Sequence, residues 1–370
     1  MSLERSPFAD ELKNAGADES ILPEEAGGPT REARLTVLVP AYNEAGSIPD
    51  TITSLQAQTR MPAEVIVIDD CSTDDTGAVA RELGATVLRP ASNTGSKAGA
   101  QTFALDHVTT ELVMAIDADT VLEVNAVDKL LAAFEDPGVS AASGFVLPRH
   151  VRTLWERGRY VEYMFAFTFF KVIQDFYRRP LISSGCFSVY RTEALRTIGG
   201  WSNRTMAEDM DLTWTMYKTG HSVRFVPEAV CYPIEPHNYH FMSKQLRRWS
   251  HGFVQNVRLH WRDLLEQPYL RTAIAVALWD ATVASTMYLA VVPVLAVLVN
   301  PLVLLLYVDD APAVAVPVLV KAMARGETRR AVASLPCFFV LRIVNSLFMI
   351  KALWMELVMR RPLTVYEKGH

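Results

Sequence analysis

From Ala273 to Tyr307 the chain carries one formal charge, Asp280. A run of that length exceeds the roughly 20 apolar residues a helix needs to cross a bilayer. A membrane segment is therefore expected here. Asn300-Pro301 is expected to break the run, because proline has no N–H to continue a helix ladder. The apolar stretch Ala311 to Val320 would then return as the second arm of a hairpin. A further apolar stretch, Ala331 to Val358, is interrupted by Arg342, Lys351 and Glu356. Those charges are costly at the membrane centre and tolerable at its edge, so a spanning helix and a helix lying along the interface both remain open. The basic loop Lys321 to Arg330 and the Arg360-Arg361 end belong on the cytosolic side by the positive-inside rule. If both lie there, Ala273 to Val320 is the hairpin and the last apolar helix lies along the membrane.

The rest of the 370-residue chain is long enough for a full globular core, half of all residues being hydrophobic. A net charge of −5 argues against nucleic acid as a partner, since phosphate recognition needs a basic surface. Cys71, Cys186, Cys231 and Cys337 are far apart and form no CxxC pair, so zinc and redox motifs are not expected and reduced thiols in a cytosol are. The first thirty residues are polar and acidic, without the basic start and apolar run of a signal peptide. They are expected to be a cytosolic, disordered tail.

Leu35-Thr-Val-Leu-Val39 and Val65-Ile-Val-Ile68 are short β-branched runs, with a helix-compatible stretch from Ser47 to Gln58 between them. A helix over Thr76 to Leu83, a strand near Thr86 to Leu88, a helix around Gly95 to His107 and a strand at Glu111 to Ile116 extend the alternation. The pattern predicts an α/β domain with a parallel sheet. Ligands in such sheets collect beyond the carboxyl ends of the strands. Pro40 to Glu44, Asp69-Asp70 and Asp117 to Asp119 lie there, and each cluster taken alone reads equally well as turn chemistry. Trp155 to Tyr177, dense in aromatics, suits a core helix or one at a lipid interface. Met242 to Arg262 is similar, with Lys244, Arg247, Arg248, Arg258 and Arg262 available to anionic headgroups or simply to solvent.

Asp117 and Asp119 offer hard oxygen ligands suited to Mg²⁺ or Mn²⁺ shared with a diphosphate. Asp209, where a polar loop meets a helical pattern, is placed to take a proton from an acceptor hydroxyl, with Glu208 orienting it. Helix capping by Glu208, Asp209 or Asp211 is the competing reading. In Gln245-Leu-Arg-Arg-Trp249, Arg247 and Arg248 suit charge-assisted bonds to a departing diphosphate, and Trp249 suits stacking on a sugar ring.

Taken in order, these segments resemble the family 2 glycosyltransferases, in particular the membrane-integrated branch of cellulose, chitin, hyaluronan and poly-N-acetylglucosamine synthases. Val39-Pro-Ala-Tyr-Asn-Glu44 resembles that family's opening nucleotide-binding loop, which brings in Pro40, Tyr42 and Glu44. Ile68-Asp-Asp-Cys-Ser-Thr-Asp-Asp75 resembles its uracil-binding loop, with Asp70 as the base contact. Asn93 to Ala100, with Lys97, resembles the next donor-contacting segment. By the same resemblance Asp117 contacts the nucleotide sugar, Asp119 ligates the metal, Asp209 is the general base, and Gln245, Arg248 and Trp249 form the Gln-x-x-Arg-Trp signature of an interfacial helix. Val365-Tyr-Glu-Lys-Gly-His370 resembles the Trp-Glu-Lys-Thr-x-His-Gly ending of some bacterial members, with Tyr366 and Gly369 in place of tryptophan and threonine.

The resemblance implies a GT-A (Rossmann-like) domain at 34–262, after the acidic tail 1–33, with interfacial amphipathic helices and a small C-terminal transmembrane region at 263–370. It implies an inverting, UDP-sugar-dependent hexosyltransferase with Mn²⁺ or Mg²⁺. Its expected place is the cell (inner) membrane, multi-pass, with the catalytic domain cytosolic. Expected partners are a UDP-sugar donor, a carbohydrate or glycolipid acceptor, the bilayer and, since two to three helices cannot alone enclose a polysaccharide channel, further copies in a homo-oligomer. Polysaccharide extension, single transfer to a membrane-near acceptor and a catalytically silent nucleotide-binding scaffold are the competing readings. Ser183-Ser-Gly-Cys186 and Trp201 are acceptor-side candidates by position, or tight packing beneath the site.

Overall fold

The computed structural model describes residues 33–365. Most of the acidic tail and the ending 366–370 lie outside the described residues. Strands β1 (Ala33–Ala41), β2 (Pro62–Asp69), β3 (Thr86–Leu88) and β4 (Leu112–Ile116) pair in parallel, with β1 between β2 and β4. Helices α1 (Ile48–Gln56), α2 (Thr76–Glu82) and α3 (Lys97–Leu105) connect them. These elements fall where the apolar periodicity puts them. β4 is buried along its whole length, as a strand covered on both faces must be.

The sheet then continues where no motif announces it. Its order is β3-β2-β1-β4-β7-β6-β8-β5, with β5 (Val121–Leu122), β6 (Val139–Val146), β7 (Phe187–Arg191) and β8 (Ser222–Tyr232). β7 runs antiparallel to both β4 and β6, and β8 is parallel to β6. The register jumps from Gly144↔Val226 to Phe145↔Val230, so β8 bulges around Pro227, which has no N–H for the ladder.

Between these strands lie α4 (Ala126–Ala132), α5 (Leu154–Phe165), α6 (Lys171–Phe176), α7 (Thr192–Thr197) and α8 (Glu208–Lys218). A π-helical turn joins α5 to α6, so Trp155 to Tyr177 is nearly one helix. Thr153 starts it with a capping box, its side chain accepting from Glu156 N while the Glu156 carboxylate accepts from Thr153 N. α9 (Tyr239–Glu266) is the longest helix before the apolar region.

The apolar region follows as α10 (Pro268–Trp279), two π-helical turns, α11 (Val292–Leu298), a 3-10 segment (Pro301–Tyr307), α12 (Ala311–Ala324) and α13 (Thr328–Leu353). Tyr269–Leu298, Pro301–Ala324 and Thr328–Val358 are each long and apolar enough to cross a membrane. The break at Asn300-Pro301 and the returning arm agree with the sequence expectation. Val314, Val318, Ala322, Ala331 and Phe338 share one buried cluster with Tyr160, Val161 and Met164 of α5. The apolar helices therefore pack directly on the α/β domain.

Candidate active site

The carboxyl ends of β1, β2 and β4 form one edge, and the sequence-predicted residues gather on it. Asn43 takes φ of +56°, a conformation asparagine tolerates better than most residues, and its side chain accepts from Thr73 N at 2.8 Å. That bond joins the loop after β1 to the loop after β2. Glu44 is buried, and its backbone N–H donates to Thr76 Oγ1 at 2.8 Å. Tyr42 is exposed at the rim. Asp70 is buried, and both its carboxylate oxygens accept from Thr94, one from the backbone N–H at 2.8 Å and one from the hydroxyl at 2.9 Å. In this geometry it fixes the loop that leads to Lys97.

Asp117 and Asp119 follow β4 in a turn closed by Thr120 N donating to Asp117 O at 3.1 Å. Thr51 of α1 donates to Ala118 O at 2.8 Å and holds the turn from behind. Asp119 has its pKa raised well above the usual carboxylate range, first by burial and then by Asp117, Glu44 and Glu235. Lys97, at the first turn of α3, bonds Asp117 and also donates to Gly185 O at 2.8 Å. Burial works to lower the Lys97 pKa, but Asp117 and Glu208 outweigh it and leave it raised. Lys97 is thus a fixed cation between two acidic groups.

Gly185 carries that connection across the site. Its carbonyl accepts from Lys97, and its N–H donates to Asp209 Oδ2 at 3.0 Å. Asp209 Oδ1 accepts from Met210 N at 2.8 Å, so the first turn of α8 and the Gly185 peptide together fix the carboxylate. Glu208 is buried beside it with a raised pKa, caused first by burial and then by Asp209, and opposed by Lys97 and Arg248. The loop before α8 is held by α9. Gln255 Oε1 accepts from Met206 N at 2.9 Å, and Asn256 Nδ2 donates to Ala207 O at 3.1 Å. At Gly252 an added Cβ would lie 2.6 Å from Ala207 Cβ, so only glycine permits this approach.

On α9, Gln245, Arg248 and Trp249 share one face, and helical geometry turns Arg247 to the opposite one, where it is exposed. The structure does not bring Arg247 to the edge with the others. Gln245 and Trp249 meet a residue that no motif singled out. Arg159 of α5, almost fully buried, donates to Gln245 Oε1 at 2.7 Å, and its guanidinium lies 4.6 Å from the Trp249 ring centroid. It also pairs with Glu162 and, at 3.5 Å, with Glu235, which accepts from Tyr163 at 2.7 Å. Glu235 sits just past β8, and its charge adds to the rise of the Asp119 pKa. A basic residue among aromatics on an otherwise amphipathic helix was the available signal for Arg159. A lone carboxylate in Pro-Ile-Glu-Pro gave none for Glu235.

The acidic crowd around Asp119 is the chemistry a divalent cation fits. Among the described residues no three His, Cys, Asp or Glu side chains close on one point. A cation would therefore be held by Asp117 and Asp119 and would complete its shell from ligand phosphates and water, as Mg²⁺ and Mn²⁺ do with nucleotides. The edge as a whole offers a basic pair (Lys97, Arg248), a carboxylate pair for a cation and a second carboxylate pair at the start of α8.

Residues 36–199 match the family described as Glycosyl transferase family 2. Poly-beta-1,6-N-acetyl-D-glucosamine synthase of Staphylococcus aureus is 25% identical over 222 residues, 59% of this chain and 54% of the relative. The chain thus spans about half the length of the curated relatives it matches. Among solved structures, the mannosyltransferase PcManGT of Pyrobaculum calidifontis, in complex with GDP-Man and Mn²⁺, superposes with a TM-score of 0.57 at 22% identity, covering 95% of each chain. S. aureus TarS 1-349 superposes with a TM-score of 0.50 at 16% identity, covering 84% of this chain and 90% of that one. At such identities these two show the fold. Residues 36–199 thus belong to a glycosyltransferase family 2 domain, similar to that of poly-β-1,6-N-acetylglucosamine synthase and built on a GT-A fold.

Proposed function

We propose that the protein is a membrane-bound, inverting glycosyltransferase that moves a sugar from a UDP-sugar to the hydroxyl of a carbohydrate or glycolipid acceptor. The observation that carries this reading is the chain of bonds from Asp117 through Lys97 and the Gly185 peptide to Asp209. It ties a diphosphate-side cluster to a proton acceptor across one short gap. The match to a poly-N-acetylglucosamine synthase over more than half of this chain supports a carbohydrate acceptor and chain extension. Single transfer would leave one product in place of a ladder. The catalytic domain belongs on the cytosolic face, where nucleotide sugars are made.

In the reaction the acceptor oxygen attacks the anomeric carbon on the face opposite the diphosphate. The new C–O bond forms as the bond to the phosphate oxygen breaks, so the configuration inverts and no covalent sugar-enzyme intermediate arises. Asp209 takes the hydroxyl proton, its carboxylate aimed by Gly185 N–H and Met210 N–H. Glu208 lies buried beside it, its pKa raised first by burial and then by Asp209 and drawn back by Lys97 and Arg248, and it lines the same carboxylate pair. Arg248 supplies positive charge toward the departing diphosphate, and Lys97 holds Asp117 in register. Asp117 and Asp119 would hold Mn²⁺ or Mg²⁺, which supplies charge neutralisation at the diphosphate when bound. Fixing donor and acceptor in one pocket supplies much of the remaining rate.

The test is UDP release by detergent-purified protein with a panel of UDP-sugars and Mn²⁺ or Mg²⁺, comparing wild type with Asp209→Asn. The expected result is turnover with one sugar and a loss of about 10²- to 10⁴-fold in the variant. Turnover unchanged in the variant would remove Asp209 as the base. GDP release from GDP-mannose in place of UDP release would reassign the nucleotide.

A further inference from the structure

From Ala281 to Val308 the sequence holds no charged residue, and this segment includes the turn between the two arms of the hairpin. A turn that emerged into water on the far side of a membrane would gain from polar side chains. Here Val297, Leu298 and Val299 are 85%, 75% and 72% exposed, and Leu302 and Leu305 are exposed beside them. A turn left in lipid must instead satisfy its own backbone. Asn300 Oδ1 accepts from Leu302 N at 2.8 Å, Val299 N and Asn300 N both donate to Leu295 O, and Val303 N donates to Asn300 O. The chain continues as a 3-10 helix whose end is closed by Val308 N donating to Leu305 O and is tied to the first arm by Tyr307 OH donating to Tyr288 O at 2.6 Å.

Depth follows from the same contacts. Tyr307 stacks on Tyr288, with ring centroids 5.9 Å apart, so both stand at one level. Asp309 and Asp310 come next. Asp310 pairs with Arg342, whose Nη2 also donates to Tyr307 O at 2.6 Å. Asp309 is exposed, and an exposed carboxylate belongs at the headgroup level or in water. From Tyr288 to Leu298 is about ten residues, or roughly 15 Å of helix. That is half of the ~30 Å hydrocarbon core.

The last apolar helix is bound to the α/β domain along its length. At its start Arg325 donates to Tyr232 OH at 2.8 Å and Tyr160 OH donates to Glu327 at 2.7 Å. In the middle Asn345 donates to Glu162 at 2.9 Å. At its end Glu356 accepts from Gln255 at 2.7 Å and lies 2.7 Å from His251 Nδ1. A helix whose two ends bond the same domain does not have them on opposite sides of a bilayer. Its other face exposes Val332, Val340, Leu347, Trp354 and Val358, a stripe suited to lying on lipid.

We propose that the hairpin Tyr269–Ala324 enters one leaflet and returns without crossing, and that helix Thr328–Val358 lies along the same membrane face, so that all of the described chain sits on one side. The occupant of the apolar surface is the lipid of that leaflet.

The test uses the full chain in sealed membrane vesicles of both orientations, with Val299→Cys, Asp309→Cys and Arg361→Cys treated with a membrane-impermeant maleimide and the four native cysteines subtracted through wild type. Asp309→Cys and Arg361→Cys should label only where the catalytic domain faces outward, and Val299→Cys only after detergent. Labelling of Val299→Cys or Arg361→Cys from the opposite face would overturn the proposal. So would labelling of Val299→Cys in intact vesicles from the catalytic face. As a second measurement, a fluorophore on Val299→Cys should be quenched more by a nitroxide deep in the acyl chains than by one near the headgroup, and the reverse order would also overturn it. Topology is read without turnover, so this result stands apart from the sugar-transfer assay.

Discussion

Gly185 is the residue on which the two halves of the site meet. An added Cβ there would stand 3.3 Å from Asp209 Oδ2, 3.3 Å from Lys97 Nζ and 3.4 Å from Asp209 Cβ. Those distances are tight without being impossible, so Gly185→Ala should fold. It should also push the Asp209 carboxylate and the Lys97 ammonium off their present lines. A displacement of that kind acts on the reacting geometry more than on ground-state binding. We expect kcat to fall by about 10- to 100-fold with donor KM changed by less than about threefold, measured by steady-state UDP release. A large rise in donor KM with kcat kept would show that the Gly185 peptide serves nucleotide binding instead. The carboxylates of this site were legible in the sequence, because Asp117-Ala-Asp119 and Glu208-Asp209 stand at element ends where loop chemistry is conspicuous. The peptide that joins them was not, since a backbone N–H and C=O carry no signature in a residue name.

Helix α5 shows the same division at the next scale. Its amphipathic pattern was readable as a core or an interfacial helix, and the structure shows its core side. It packs Tyr160, Val161 and Met164 into a cluster shared by the sheet and the apolar helices, and it bonds α9 through Arg159 and α13 through Glu162. Arg159 is the pin of that arrangement. Replacing it by methionine keeps most of the volume but leaves Glu162 and Glu235 without their cation, and removing one partner of a buried ion pair costs about 3–5 kcal/mol. Arg159→Met should therefore lower the unfolding midpoint markedly in a detergent melt. Adding Glu235→Gln should recover part of the loss, because it removes the most buried uncompensated charge. If the double variant is no more stable than the single one, the Arg159–Glu235 contact is not what holds the helices. Strands β1 to β4 were legible because each is a compact β-branched run. β6, reading Val-Ser-Ala-Ala-Ser-Gly-Phe-Val, has small residues and no alternation, being buried on both faces. β8 is interrupted by its bulge at Pro227. Their pairing is long-range and leaves no local trace.

At the scale of the whole molecule, length and hydropathy alone read three helices able to cross a membrane among the described residues, while buried contacts tie each of them to the α/β domain. The tip of the hairpin decides between a crossing and a one-leaflet insertion by energy. Near the bilayer centre an aspartate costs about 2.5–3.5 kcal/mol on insertion scales, whereas in water beyond the far headgroups it costs almost nothing. Leu298→Asp is the informative change, because Leu298 is exposed at the tip and stands far along the chain from every residue of the catalytic edge. With the tip in mid-membrane, the variant should float with liposomes about 100-fold less well than wild type, since every 1.4 kcal/mol is tenfold in partition. Its UDP release in detergent should match wild type. With a crossing hairpin, the same charge would sit in water and flotation would not change. The distribution of Leu298→Asp between lipid and buffer thus reports directly whether this hairpin tip stops inside a bilayer or passes through it.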